Sequence, residues 1–253
     1  METTKKTQVV GIKNAGIVII CCLVIAVCIF QLLLGHPLNM LGTIYKGGII
    51  VPIIQTLLLT VLALSIERYF ALRSAFGKGS LSKFVANIKD ALAAGDMKKA
   101  QEICDKQRGS VANVVTSTLR KYEEMEKNTA LPKEQKLLAI QKELEEATAL
   151  EMPMMQQNLP IIATITTLGT LMGLLGTVIG MIRSFAALSA GGGADSMALS
   201  QGISEALINT AFGILTGALA VISYNYYTNK IDKLTYGLDE VGFSIVQTFA
   251  ATH

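Results

Sequence analysis

The chain has 253 residues, of which 51% are hydrophobic and 16% charged, and its formal net charge is +3 at pH 7. This is too apolar for a soluble domain of that length, and it predicts an all-α polytopic membrane protein with four transmembrane helices. The basic residues are scattered rather than run together, so no nucleic-acid footprint is present and the lipid membrane is the expected surrounding.

Residues 1–15 are polar, carry Lys5, Lys6 and Lys13, and are expected to form a cytoplasmic N-terminus. Residues 16–34 are an almost unbroken aliphatic run, long enough to cross a bilayer. The run exceeds the core of about 7–15 residues of a signal peptide, and GHPLN follows it in place of a small-residue cleavage site. It therefore reads as a retained first transmembrane helix rather than a cleaved leader. After the turn-forming Gly35, His36, Pro37 and Asn39, residues 48–66 form a second span that ends at Glu67 and Arg68. Its Pro52, Gln55, Thr56 and Thr60 should face protein rather than lipid.

Residues 67–157 are charged and periodic, and they read as a cytoplasmic helical domain. Leu81, Phe84, Val85, Ile88, Ala91 and Leu92 repeat at helical spacing up to a turn at Gly95-Asp96. Further helices are predicted over Met97–Lys106 and Val111–Lys127. Pro132 opens a last long helix, with Leu137, Leu138, Ile140, Leu144, Ala147 and Leu150 as its expected apolar stripe. Lys142 and Glu146 in this helix form an i,i+4 pair on a solvated face.

Two more spans follow, residues 158–183 and 201–227, joined by a periplasmic loop over 184–200 and followed by a cytoplasmic C-terminal helix over 228–253. The orientation follows from basic residues marking cytoplasmic segments. Fifteen of the 22 Lys and Arg residues lie between Arg68 and Lys142, whereas the 36–47 loop holds only Lys46 and the 184–200 loop none. Both termini are then cytoplasmic. Cys21, Cys22, Cys28 and Cys104 lack CxxC spacing and read as small apolar packing residues. With His36 and His253 the only histidines, no metal motif can be assembled and no cofactor is expected. Gly191–Gly193 lacks the Gly-Lys-Ser/Thr of a phosphate loop and reads as a flexible connector, and no covalent active site is visible.

The third and fourth spans carry the unusual chemistry. Thr166, Gly169, Thr170, Gly173, Gly176, Thr177, Gly180 and Ser184 fall on one stripe of the third. Gly202, Glu205, Asn209, Thr210, Gly213, Thr216, Gly217, Ala220 and Ser223 do so on the fourth. Such faces serve close helix packing, and the hydroxyls could equally line a narrow aqueous path. Glu205 in the first turn of a helix gains less than about 1 kcal/mol from the dipole. Deeper in hydrocarbon an acid costs at least about 2.5–3.5 kcal/mol and normally serves a proton or ion path. In antiparallel helices Glu205 and Thr177 are expected at similar depth.

IERYFALR at 66–73, LPIIAT at 159–164, GLLGTVIGM at 173–181 and GISEALINTAFG at 202–213 together resemble the ExbB/TolQ/MotA proton-channel family, the stators of ion-driven motors. The resemblance covers roughly Gly48 to Asp232 and is nearer to ExbB. It implies a homo-oligomer, usually a pentamer, around the membrane helices of an ExbD/TolR-type single-span partner in the bacterial inner membrane. It implies a proton-channel subunit that couples proton motive force to outer-membrane transport through a TonB-type protein, and not an enzyme. The alternatives are a TolQ-like envelope-maintenance subunit, a motility stator, or, from another class, a scaffold without ion conduction.

In the family pattern Thr177, Glu205 and Thr210 line the pore, and Thr170 and Asn209 join them as candidates. Gly173, Gly176, Gly180, Gly202 and Gly213 are the candidates for close packing. Two departures stand out: the extra span over 16–34, and Thr170 where many relatives carry a proline, which removes the expectation of a kink there and could add a hydroxyl to the lumen.

Overall fold

The computed structural model describes residues 14–34, 48–190 and 196–252. The N-terminal lysines, the turn at 35–39, Lys46 and the connector Gly191–Gly193 lie outside the described residues. The described residues form eight helices: α1 Ala15–Leu34, α2 Ile50–Phe76, α3 Leu81–Ala93, α4 Met97–Gln107, α5 Gly109–Lys127, α6 Lys133–Gln156, α7 Leu159–Ala190 and α8 Ser196–Thr252. Four of them, α1, α2, α7 and α8, are long and apolar enough to cross a membrane, which makes this an all-α polytopic membrane fold. The described residues divide into two compact units, one of 14–67 with 158–226 and the other of 68–157 with 227–252.

In the first unit the outward side chains are aliphatic, among them Ile20, Leu23 and Leu32 of α1 and Leu174, Ile182 and Leu207 of α7 and α8. These surfaces suit hydrocarbon, where apolar exposure carries no penalty. Several polar side chains point inward. Thr56 and Thr60 of α2 are buried, and their hydroxyls donate to the carbonyls of Pro52 (2.7 Å) and Thr56 (2.8 Å) one turn back. Such back-bonding satisfies a hydroxyl where water is absent.

The second unit has a conventional apolar core. Phe84, Val85, Ile88, Ala91 and Leu92 of α3 are buried, as are Val111, Val114, Val115 and Leu119 of α5. The C-terminal part of α8 adds Ile231, Leu234, Leu238, Val241, Ile245 and Phe249, all buried, at intervals of three or four. Phe249 meets Tyr122 edge to face with ring centroids 4.9 Å apart. Asp96 caps α4 by accepting from the Lys99 amide at 3.0 Å. Gly77, at φ 74°, ends α2 so tightly against the 107–108 backbone that a Cβ there would lie 2.0 Å from the Arg108 carbonyl oxygen.

Arg68 gives the IERYFALR segment part of its physical meaning. Its side chain is fully buried, and Nη1 donates to the carbonyls of Met154 (3.1 Å) and Met155 (3.3 Å). These are last-turn carbonyls of α6, which have lost their intrahelical donors. In the other unit, Glu67 accepts from Asn158 Nδ2 at 3.3 Å.

Three expectations need correction. The connector expected over 184–200 is shorter, because α7 continues to Ala190 and α8 begins at Ser196. The alanines, serines and methionine of these stretches tolerate helix well, so the helices outrun their apolar cores. The fourth span and the C-terminal helix are one element of 57 residues, since no proline interrupts it. In α6 the expected stripe is not a buried face: only Ile140 of its six members is buried, while Leu138 and Leu150 are 65% and 74% exposed. Leu138 sits about 200° around the helix from Ile140, so the two could not share one core contact. The Lys142–Glu146 pair forms at 3.5 Å on the exposed surface, where it adds little.

Candidate functional site

The site is built where α7 packs antiparallel against the first half of α8, at a spacing set by glycine. A Cβ added to Gly173 would lie 3.0 Å from the Gly213 Cα, and one on Gly180 would lie 2.8 Å from the Gly202 carbonyl oxygen. On Gly176 it would sit 2.3 Å from Asn209 Cβ, and on Gly202 2.1 Å from Ser184 Oγ. Gly173, Gly176, Gly180, Gly202 and Gly213 therefore all sit where backbone meets backbone or a buried polar side chain. Asn209 is 1% exposed on this seam, and Thr216 and Ser184 are also buried. Ser184 Oγ donates to the Gly180 carbonyl at 3.0 Å, and Thr216 Oγ1 to that of Phe212 at 2.8 Å.

The threonines singled out from the sequence are placed differently. Thr210 is half-buried and donates to the Ala206 carbonyl at 3.1 Å. Thr170 is exposed at the edge of the seam, near Gly217, and donates to the Thr166 carbonyl at 3.4 Å. Thr177 is half-exposed and donates to the Leu174 carbonyl at 2.6 Å. It lines a shallow concavity with Val178, Met181, Ile182 and Phe185, on the helix face next to the seam. Each hydroxyl spends its proton on its own helix and keeps lone pairs to offer an incoming donor.

Glu205 is 7% exposed, and its Oε1 accepts from Nη1 of Arg183 at 2.6 Å. Arg183 itself is half-exposed along its side chain. The third wall is Gly48, just before α2, whose φ of 72° turns the backbone onto the carboxylate. A Cβ there would lie 2.0 Å from Glu205 Oε1 and 3.2 Å from Arg183 Nη1. The level of Glu205 is that of Gly180, whose neighbours on α8 are Gly202 and Ala206. Thr177 is three residues away, about 4.5 Å along the axis, so acid and threonine are offset by nearly one turn rather than directly opposed.

Arg183 is the candidate-site residue that sequence reasoning misses, because it ends the third span beside the expected loop and reads there as a mere flank. The signal was present: aligning the two small-residue stripes antiparallel sets Gly180 against Glu205 and puts Arg183 one turn beyond. Side chains lean toward the N-terminus of their helix. Glu205 thus leans toward the 196 end of α8, while Arg183 leans back from the 190 end of α7, and they meet. The assembled groups suit the holding or passing of charge. Among the described residues no set of three His, Cys, Asp or Glu side chains is placed to hold a metal ion.

Comparison with known proteins identifies the family. Residues 107–240 match the MotA/TolQ/ExbB proton channel family, a segment that contains all of the α7–α8 seam. The chain is 31% identical over 206 residues to a putative biopolymer transport protein, ExbB-like 1, of Synechocystis sp., covering 76% of this chain and 72% of that protein. To another such protein of the same organism, ExbB-like 3, it is 36% identical over 86 residues, which span 33% of this chain and 41% of the relative. It is 24% identical over 194 residues to the Tol-Pal system protein TolQ of Pseudomonas aeruginosa, covering 72% and 81%. A seam of close glycine contacts carrying one buried acid thus lies inside the matched segment, and the chain belongs to the MotA/TolQ/ExbB proton channel family.

Proposed function

We propose that this protein is the proton-channel stator subunit of an inner-membrane motor that couples proton motive force to energised outer-membrane transport. In this reading copies of the chain, five in the favoured arrangement, surround an ExbD-like single-span partner and act on a TonB-type protein. Both termini are cytoplasmic, and the protein is not an enzyme. The observation that carries the proposal is the buried Glu205 on the glycine seam, because an acid is kept at such a cost in an apolar span where charge must move or be held. Thr170 and Thr177 on α7 and Asn209 and Thr210 on α8 supply hydroxyl and amide groups on the two helices of the seam.

The test is proton flux into proteoliposomes holding the complex purified with its neighbours. Glu205→Gln and Thr177→Val proteins, inserted and assembled as wild type, should conduct less. Full flux in both would remove the pore assignment and favour a scaffold that only packs. A TolQ-like role in envelope maintenance is the second reading, favoured by the match to TolQ over most of both chains. The co-purifying single-span protein separates the two.

A further inference from the structure

We infer that Arg183 is the positioning residue for Glu205, so that the ion pair closed by Gly48, and not the acid alone, is the unit that sets charge at this end of the α7–α8 seam. The inference rests on the proton-channel reading above and names a residue that reading does not need. Three independent observations converge on the pair. First, Arg183 Nη1 lies 2.6 Å from Glu205 Oε1, the short distance of a charge-assisted hydrogen bond. Second, the Glu205 side chain is almost fully enclosed, while the Arg183 side chain is 53% exposed. The acid is therefore approached through its arginine. Third, Gly48 occupies the remaining side so closely that no larger residue fits without displacing Oε1.

The physical case is one of mutual need. An arginine or a glutamate inside an apolar span is expensive alone, and each resolves the cost of the other. Among the described residues Arg183 is the charged partner of Glu205. A carboxylate oxygen that already accepts from a guanidinium is held in place, so Glu205 acts on the conduit from a fixed position. Arg183 determines that position, and Gly48 keeps the space in which it is possible.

The experiment measures proton flux per assembled complex in proteoliposomes, with wild type, Arg183→Gln, Glu205→Gln, the double variant, Arg183→Lys and Gly48→Ala. The pair predicts loss of flux in Arg183→Gln and in Glu205→Gln, and no further loss in the double, since residues acting as a unit are not additive. Arg183→Lys should retain most of the flux, because the hydrogen bond from Nη1 to Oε1 needs only one cationic donor. Gly48→Ala should lose flux although it alters no charge, which a purely electrostatic surface effect would not produce.

Wild-type flux in Arg183→Gln, or losses that add in the double, would overturn the inference while leaving the proton-channel reading intact. Absence of flux in the wild-type complex would overturn both. Should a single variant fail to assemble, the double, which leaves no uncompensated charge, decides: recovered assembly supports the pair and continued failure overturns it.

Discussion

At the scale of single residues, the behaviour of a side chain here is decided by what encloses it rather than by its type. Cys104 shows this outside the membrane spans. It is buried in the second unit, and burial, with a smaller contribution from the Asp105 charge, pushes its thiol up to about 12, against a lowering hydrogen bond with Thr116. The neutral thiol is thus favoured in the fold, while an unfolded cysteine ionises near 9.0. The resulting stabilisation is fully present below pH 9.0 and is lost as pH rises towards about 12. In a protein with Cys21, Cys22 and Cys28 replaced by serine, Cys104 should resist maleimide at neutral pH until denaturant is added. Unfolding midpoints should fall with pH above about 9, and Cys104→Ala should flatten that alkaline slope; rapid labelling of the native protein would contradict the burial argument. Cys104 is legible in the sequence as a packing residue, whereas Arg183 becomes legible only once the two small-residue stripes are aligned antiparallel, which brings it one turn from Glu205.

At the scale of elements, the α7–α8 seam depends on the absence of side chains. A Cβ on Gly213 would lie 2.6 Å from the Gly173 Cα, backbone that cannot move unless the helices part. A Cβ on Gly176 would collide with Asn209, whose side chain is buried and has little room to turn. Gly16, in contrast, has nothing within 4 Å. Gly213→Ala and Gly176→Ala should therefore each destabilise the purified protein by about 1–3 kcal/mol, as overpacking does. Gly16→Ala should be neutral or slightly stabilising, since alanine is the better helix former. Thermal unfolding in detergent compares the three, and equal midpoints would show that the seam is looser than drawn. The small-residue stripes were legible from spacing alone. The α6 stripe misled for a related reason: periodicity marks which residues share a face, whereas burial depends on which neighbour arrives, and among the described residues Leu138 and Leu150 stay exposed.

At the scale of the whole molecule, the four spans were legible because an apolar helix needs a minimum length, and length and hydropathy are written in sequence. Their ends were not, since SFAALSA and SMALS carry helix past the apolar core and no breaker stops α8 before Thr252. The same asymmetry governs orientation. Lysine and arginine crowd into 68–142, and the stretch between α7 and α8 has none, so the second unit should remain in the cytoplasm and the 191–195 connector should reach the periplasm. Arg183 adds one positive charge near the C-terminal end of α7, and a single basic residue there is outweighed by the fifteen between Arg68 and Lys142. We therefore expect a fluorescent protein fused after His253 to fold and fluoresce, and alkaline phosphatase inserted at 191–195 to be active. Adding several lysines to that connector should reduce phosphatase activity by retaining the insertion inside. A connector that stayed inside in the unaltered protein would invert the assigned topology and place Glu205 and Arg183 at the cytoplasmic end of the seam.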